Sequence, residues 1–205
     1  MDSLFEFIDE MCKRYLIDES HGLKHAIGTM KRADKILEQL DDISDDERRI
    51  ALYAAALHDT CDHKYTDVEV ASTQIREWLL LKQGWSVNHT DAILNIVTTM
   101  SYSQVKTNMR YPDHGPWQRA YHVARHADLL EGYIVARCVL YDRHIHPERS
   151  EDAHWLRAEE LFRERVFTYV SEGWIFMPEA LKEVPRLEAE AIRCLGERSL
   201  DWNLS

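Results

Sequence analysis

The pair His58-Asp59 closes the apolar run Ala54-Ala55-Ala56-Leu57. An imidazole and a carboxylate at the end of a segment built for burial are costly unless something satisfies both. A divalent cation does so, because both groups are ordinary ligands of first-row metal ions. A His-Asp pair taken alone more often faces water at a helix end. Here two other segments supply matching groups. Upstream, Ser20-His21-Gly22-Leu23-Lys24-His25 sets His21 and His25 at positions i and i+4, on one face of a helix. Downstream, Asp128 stands between Ala127 and Leu129 in an apolar-rich stretch, where a carboxylate is awkward without a cation. Ligands supplied by three separate helices, His25, His58 with Asp59, and Asp128, are how a helical bundle builds a metal site. The set suits one divalent ion: Mn, Co, Ni, Fe or Mg. Such an ion acidifies water and polarises phosphorus, so it needs no serine or cysteine nucleophile. His63 and Lys64 are the nearest cations, and Lys64 can hold a phosphate as a point charge.

These residues must be positioned by helices, because no segment alternates long enough for a sheet. Gly and Pro are scarce, at 7 and 5, which starves the chain of turns. Asp2 and Ser3 are placed to cap a first helix carrying Leu4, Phe5, Ile8, Cys12 and Tyr15. After a break at Asp18-Glu19-Ser20, a second helix carries the stripe Leu23, Ile27, Met30, Ala33, Leu37 and Leu40. The acidic segment 41–47 reads as a linker to a third helix running from Arg48 to about His58. Thr66 and Glu69 have capping-box spacing and open a fourth helix that ends at Gly84. Residues 86–100 form a fifth, 101–116 one long loop, and 117–141 a single long helix. Two more are predicted over 150–169 and 178–195. Trp155, Leu161, Phe162, Trp174 and Phe176 of this C-terminal part pack on the core or form a homodimer interface. The expected class is all-α.

The order His, then His-Asp, then Asp resembles the HD superfamily of metal-dependent phosphohydrolases. The likeness is closer than that pattern. The stretches SHGLKH, AALHDTCDHKY, IVTTMSYS and ADLLEGYIVAR are similar to successive motifs of a small single-domain HD subgroup. Its bacterial members include nucleoside triphosphate pyrophosphohydrolases. The resemblance covers about residues 18–145. It implies an HD-domain helical bundle over residues 1–150; residues 151–205, which no motif of the subgroup covers, are expected to form additional C-terminal helices packing on the same domain. It matches His25, His58, Asp59 and Asp128 to the metal ligands and His21 to a substrate contact. It matches Asp62, three residues after Asp59, to a general acid/base near the metal-bound water. Arg137 also matches a subgroup position, although nine residues of continuous helix would turn it away from Asp128. Tyr102, at the start of the long loop, is expected to line the pocket. The chain departs from the subgroup at Gly22 and Leu23, where an acidic residue and an aromatic usually follow the first histidine. The activity implied is hydrolysis of a phosphate ester or anhydride of a small molecule, a nucleotide.

Composition sets the limits of this reading. With 36 acidic against 25 basic residues the net charge is -11, and no basic run offsets it. That balance disfavours nucleic acid and anionic lipid as partners. A small phosphate substrate remains compatible, because a bound cation inverts the local field. The four cysteines lie far apart with no CxxC pair, as in reduced, mostly buried thiols, and the N-terminal residues lack a signal-peptide pattern. A cytoplasmic protein without a membrane segment is expected. Two alternatives stay open: a non-catalytic metal- and nucleotide-binding domain, and a di-iron HD oxygenase. The oxygenase needs two more histidine ligands between Asp59 and Asp128, where His89 and His114 are found.

Overall fold

The computed structural model describes residues 2–202, and every regular element among them is helical. The α-helices are α1 (Asp2–Tyr15), α2 (Leu23–Leu37), α3 (Asp45–Leu57), α4 (Val68–Lys82), α5 (Val87–Thr99) and α6 (Tyr102–Asn108). They continue with α7 (Gln118–Glu131), α8 (Val135–Ile145), α9 (Glu151–Glu164), α10 (Pro178–Leu181) and α11 (Val184–Glu197). The fold is an all-α bundle with no helix long and apolar enough to cross a membrane among the described residues. The cysteines are free, and Cys12, Cys61 and Cys194 are buried.

The centre of the bundle is the packing of α2, α3 and α7 against one another. On α3 the run Ala54-Ala55-Ala56-Leu57 is fully inside, and its small side chains let the neighbouring helices approach closely. The helix starts earlier than the composition suggested. Ser44 caps it in a reciprocal box with Glu47, and Asp45, Asp46 and Glu47 sit in its first turn. There their charges favour the positive end of the helix dipole, so residues 45–47 of the acidic "linker" are helix. At the other end α3 tightens into a 3₁₀ turn, His58–Cys61, which packs against α5 and α4.

Other boundaries also move. Asp2 and Ser3 lie inside α1, and the Ser3 hydroxyl accepts from Gln83 Nε2 instead of capping. The cap of α4 is Asp67, which accepts from Glu69 and Val70 N–H, while Thr66 donates to the Asp67 carbonyl. Within the expected long loop, residues 102–108 form α6, closed by Met109 at φ 48°.

The expected helix over 117–141 is two helices, and this correction matters most for the site. α7 stops at Glu131, and Ile134 is extended at φ -78°, ψ 102° before α8 begins. Gly132 lets the chain turn: a Cβ there would meet the Leu129 carbonyl oxygen at 2.9 Å and the Tyr169 ring at 3.4 Å.

Beyond residue 150, α9 packs on α8, α11 on α8 and α9, and α10 on α7. Trp155, Phe162 and Trp174 are buried, whereas Phe176 is 41% exposed. Burying each such side chain contributes roughly 1.5–3 kcal/mol. Polar groups fix the contact: buried Arg125 donates to the Trp174 carbonyl at 2.9 Å. His126 Nε2 accepts from Phe176 N–H at 3.1 Å while its Nδ1 meets the His122 carbonyl at 2.6 Å. His126 and His154 are therefore interior residues.

Candidate metal centre

His25 lies in the first turn of α2 and is completely buried. The buried face of α2 carries His25, Thr29 and Arg32 among its apolar residues, so part of the core stripe is given over to the site. His58 and Asp59 come from the 3₁₀ turn after α3, and Asp128 from the last turns of α7. Their donor atoms converge. His25 Nε2 is 3.1 Å from His58 Nε2, 3.2 Å from Asp59 Oδ2 and 3.4 Å from Asp128 Oδ1. His58 Nε2 is 3.3 Å from Asp59 Oδ2 and 3.4 Å from Asp128 Oδ1. Donors held at about 2.0–2.2 Å from one ion lie roughly 3.0–3.5 Å apart at octahedral to tetrahedral angles. All five separations fall in that range. The donors that all lie within 4.8 Å of one another are those of His25, His58 and Asp128; Asp59 meets both histidines but falls outside that group.

The chemistry of these donors calls for positive charge between them. His58 Nδ1 is 2.9 Å from the Ala55 carbonyl and donates its proton there, which turns Nε2 inward. Two Nε2 atoms facing at 3.1 Å accommodate one proton between them at most. Asp59 Oδ2 is buried and makes no hydrogen bond. Without a metal, protons carry the balance. Burial pushes the Asp59 and Asp128 carboxyls up, yet the neighbouring His58 charge outweighs it and holds both well below the ordinary carboxylate range. Burial likewise pulls His58 down, and the same two carboxylates lift it well above an ordinary histidine. The donor set, the spacing and the orphaned oxygen fit a divalent ion.

Two buried charged residues stand behind His25. Glu131 Oε2 lies 3.8 Å from His25 Nδ1, and the other carboxylate oxygen pairs with buried Arg32. Gly28 makes room for this carboxylate: a Cβ there would stand 2.4 Å from Glu131 Oε2. Sequence reading missed Glu131 and Arg32, although Glu131 sits in the quoted ADLLEG stretch.

His21 precedes α2 instead of sharing its face with His25. Its Nδ1 is 2.7 Å from Ser20 Oγ, 2.9 Å from Tyr65 Oη and 3.3 Å from Asp18 Oδ2. Burial lowers the His21 pKa, leaving a neutral ring in the wall. Arg137 also reaches the centre, contrary to the continuous-helix expectation, because the break at 132–134 swings α8 back. Its Nε donates to the Ser20 carbonyl at 2.8 Å, and its two Nη atoms lie 4.0 Å from Asp59 Oδ2 and 3.9 Å from Asp128 Oδ1.

The cluster opens into a cavity of about 570 Å³. Asp62, His63, Lys64 and Tyr102 all line it. Asp62 closes the 3₁₀ turn. Its Oδ1 accepts the Lys64 backbone N–H at 2.9 Å, and its Oδ2 is 3.0 Å from Lys64 Nζ. The His63 side chain is 71% exposed at the rim. Tyr102 is buried at the start of α6, its hydroxyl 3.2 Å from Lys106 Nζ. The C-terminal region also contributes to the lining, with Arg157, Arg165 and Tyr169. No motif covered those residues, so sequence reading missed them. His89 packs on Trp85 and Trp117, and His114 stacks on Tyr121; neither lines the cavity.

Comparison with models of known protein families, with curated proteins and with solved structures finds no match to this chain.

Proposed function

We propose that this chain is a metal-dependent phosphohydrolase acting on a phosphate ester or anhydride of a small molecule, a nucleotide. The observation that carries the reading is that the facing imidazoles of His25 and His58 each meet the Asp59 and Asp128 carboxylates, all at 3.1–3.4 Å, beside a cavity that His58, Asp59 and Asp128 line together with Arg137 and Lys64. His25, His58, Asp59 and Asp128 would hold the ion. When bound, a divalent ion supplies charge that polarises phosphorus and acidifies water.

The chain's own residues do the rest. Arg137, fixed through Nε to the Ser20 carbonyl, keeps its Nη groups beside the centre to meet a phosphoryl oxygen. Lys64 adds a cation from the opposite end of the 3₁₀ turn. Neutral His21 offers a ring nitrogen for hydrogen bonding. Asp62 is the carboxylate assigned to proton transfer, because the other acid of the wall outside the cluster, Asp142, is tied to His154 and Arg149 at 2.7 Å each. The cavity wall holds as many carboxylates as lysines and arginines, so one divalent ion makes it net positive in a strongly acidic protein. The volume suits a ligand of nucleotide size.

The test is a panel of nucleoside mono-, di- and triphosphates and a generic phosphodiester, assayed with Mn²⁺, Co²⁺, Ni²⁺ and Mg²⁺. Wild type and Asp62→Asn are run in parallel. Metal-dependent turnover that drops at least about 100-fold in Asp62→Asn, with metal binding intact, is expected for a general acid/base. No turnover on any substrate while Mn²⁺ binds one per chain would favour a non-catalytic binding domain.

A further inference from the structure

Among the lysines and arginines of the cavity wall, Arg165 is the one with no carboxylate at ion-pair distance among the described residues. Lys64 pairs with Asp62, Arg157 with Glu160, and Arg137 lies beside Asp59 and Asp128. Arg165 is held differently. It stands where α9 ends, at φ -134° and ψ -59°, just before the 3₁₀ turn Val166–Thr168. Its Nε donates to Tyr169 Oη at 3.0 Å, and its guanidinium lies 4.1 Å over the ring of Tyr102. Both tyrosines are buried, so the fork is clamped on two sides. A guanidinium carries five N–H donors, and among the described residues this one spends a single donor on the protein.

In a chain with 36 acidic residues, a clamped arginine without an acidic partner is a site prepared for an anion from outside. Its field also reaches the metal centre, where Asp128 acts on it electrostatically. Arg137 already stands beside the Asp59 and Asp128 carboxylates, at 4.0 and 3.9 Å.

We infer that Arg165, presented by Tyr102 and Tyr169, binds an anionic group of the substrate other than the phosphoryl group held at the His-Asp cluster. This rests on the phosphohydrolase reading. It gives the substrate a second anion, phosphate or carboxylate, and gives the C-terminal helices a part in recognition.

The experiment is a calorimetric titration of the Mn²⁺-loaded protein with orthophosphate, imidodiphosphate and phosphonoacetate. These carry one anion, two phosphates, and a phosphonate with a carboxylate. Wild type, Arg165→Gln and Arg165→Lys are compared. The wild type is expected to bind at least one two-anion probe about 10-fold or more tighter than orthophosphate, and the stronger of the two identifies the second group. Arg165→Gln is expected to weaken that probe about 10- to 100-fold and orthophosphate less than about 2-fold, with Mn²⁺ affinity unchanged. Arg165→Lys is expected to recover part of the loss, which a purely structural role for Arg165 would not produce. Equal weakening of all three anions in Arg165→Gln, or no preference for two anions in the wild type, overturns the inference and leaves the hydrolase reading standing. Failure of the wild type to bind orthophosphate at all removes that reading and the inference with it.

Discussion

Asp59 Oδ2 and the facing Nε2 atoms of His25 and His58 define what the centre lacks without a cation. Each residue behind them is placed to keep those atoms pointing inward. Glu131 lies behind His25, and outer carboxylates of this kind typically contribute 10- to 100-fold to metal affinity. Glu131→Gln is therefore expected to weaken Mn²⁺ binding about 10- to 100-fold by titration calorimetry; unchanged affinity would remove Glu131 from the centre. Arg32 acts through Glu131. Arg32→Met leaves a buried carboxylate without its cation, a loss of about 3–5 kcal/mol that a denaturant melt would register. Little of this outer layer was legible in the sequence. The four inner donors stood out because polar residues interrupt apolar runs. Glu131 and Arg32 instead look like ordinary charged helix positions until the fold brings α2 against α7.

At the scale of elements, the turn at 132–134 decides the site. It directs α8 so that Arg137 returns to Asp59 and Asp128, which a straight helix forbids. A helical periodicity that runs unbroken through Leu129, Leu130, Tyr133 and Ile134 hid that turn, and the glycine that permits it is a weak signal by itself. The capping of α3 was similarly obscured, because a run of acids reads as linker when it is a helix start. Gly28 gives a test at this scale. Gly28→Ala drives a methyl into the Glu131 carboxylate, so it is expected to cost about 1–3 kcal/mol and to weaken Mn²⁺ binding as well. Ser44→Ala, at the far end of α3, is expected to cost about 1 kcal/mol through the lost cap while Mn²⁺ affinity stays the same. If the two variants affected metal binding alike, the close approach at Gly28 would have no special role.

Across the whole molecule, the C-terminal region closes the cavity and is pinned to α7 by histidines that must stay neutral. Burial pushes His126 down to about 3 and His122 down to about 4. A histidine whose folded pKa is depressed binds its proton more readily when unfolded, so stability is complete above the unfolded pKa near 6.5 and falls below it. For a fully buried ring the loss approaches about 1.4 kcal/mol per pH unit below that point. Melting temperature is expected to fall between pH 7 and pH 5, and less steeply in His126→Gln. Parallel slopes in the two proteins would contradict this. The all-helical class was readable from the scarcity of Gly and Pro and from the apolar periodicities. The role of residues 151–202 was not, because Arg157 and Arg165 acquire meaning only through the wall they share with Lys64 and Tyr102.

The proposed phosphohydrolase activity depends on one ion held by His25, His58, Asp59 and Asp128. Mn²⁺ occupancy and substrate turnover followed in the same titration, for the wild type and for Asp59→Ala, test this dependence. One Mn²⁺ per wild-type chain, turnover rising in proportion to occupancy, and neither binding nor turnover in the folded variant are expected. Turnover that persists in Asp59→Ala, or that stays constant as Mn²⁺ fills the site, would contradict that dependence.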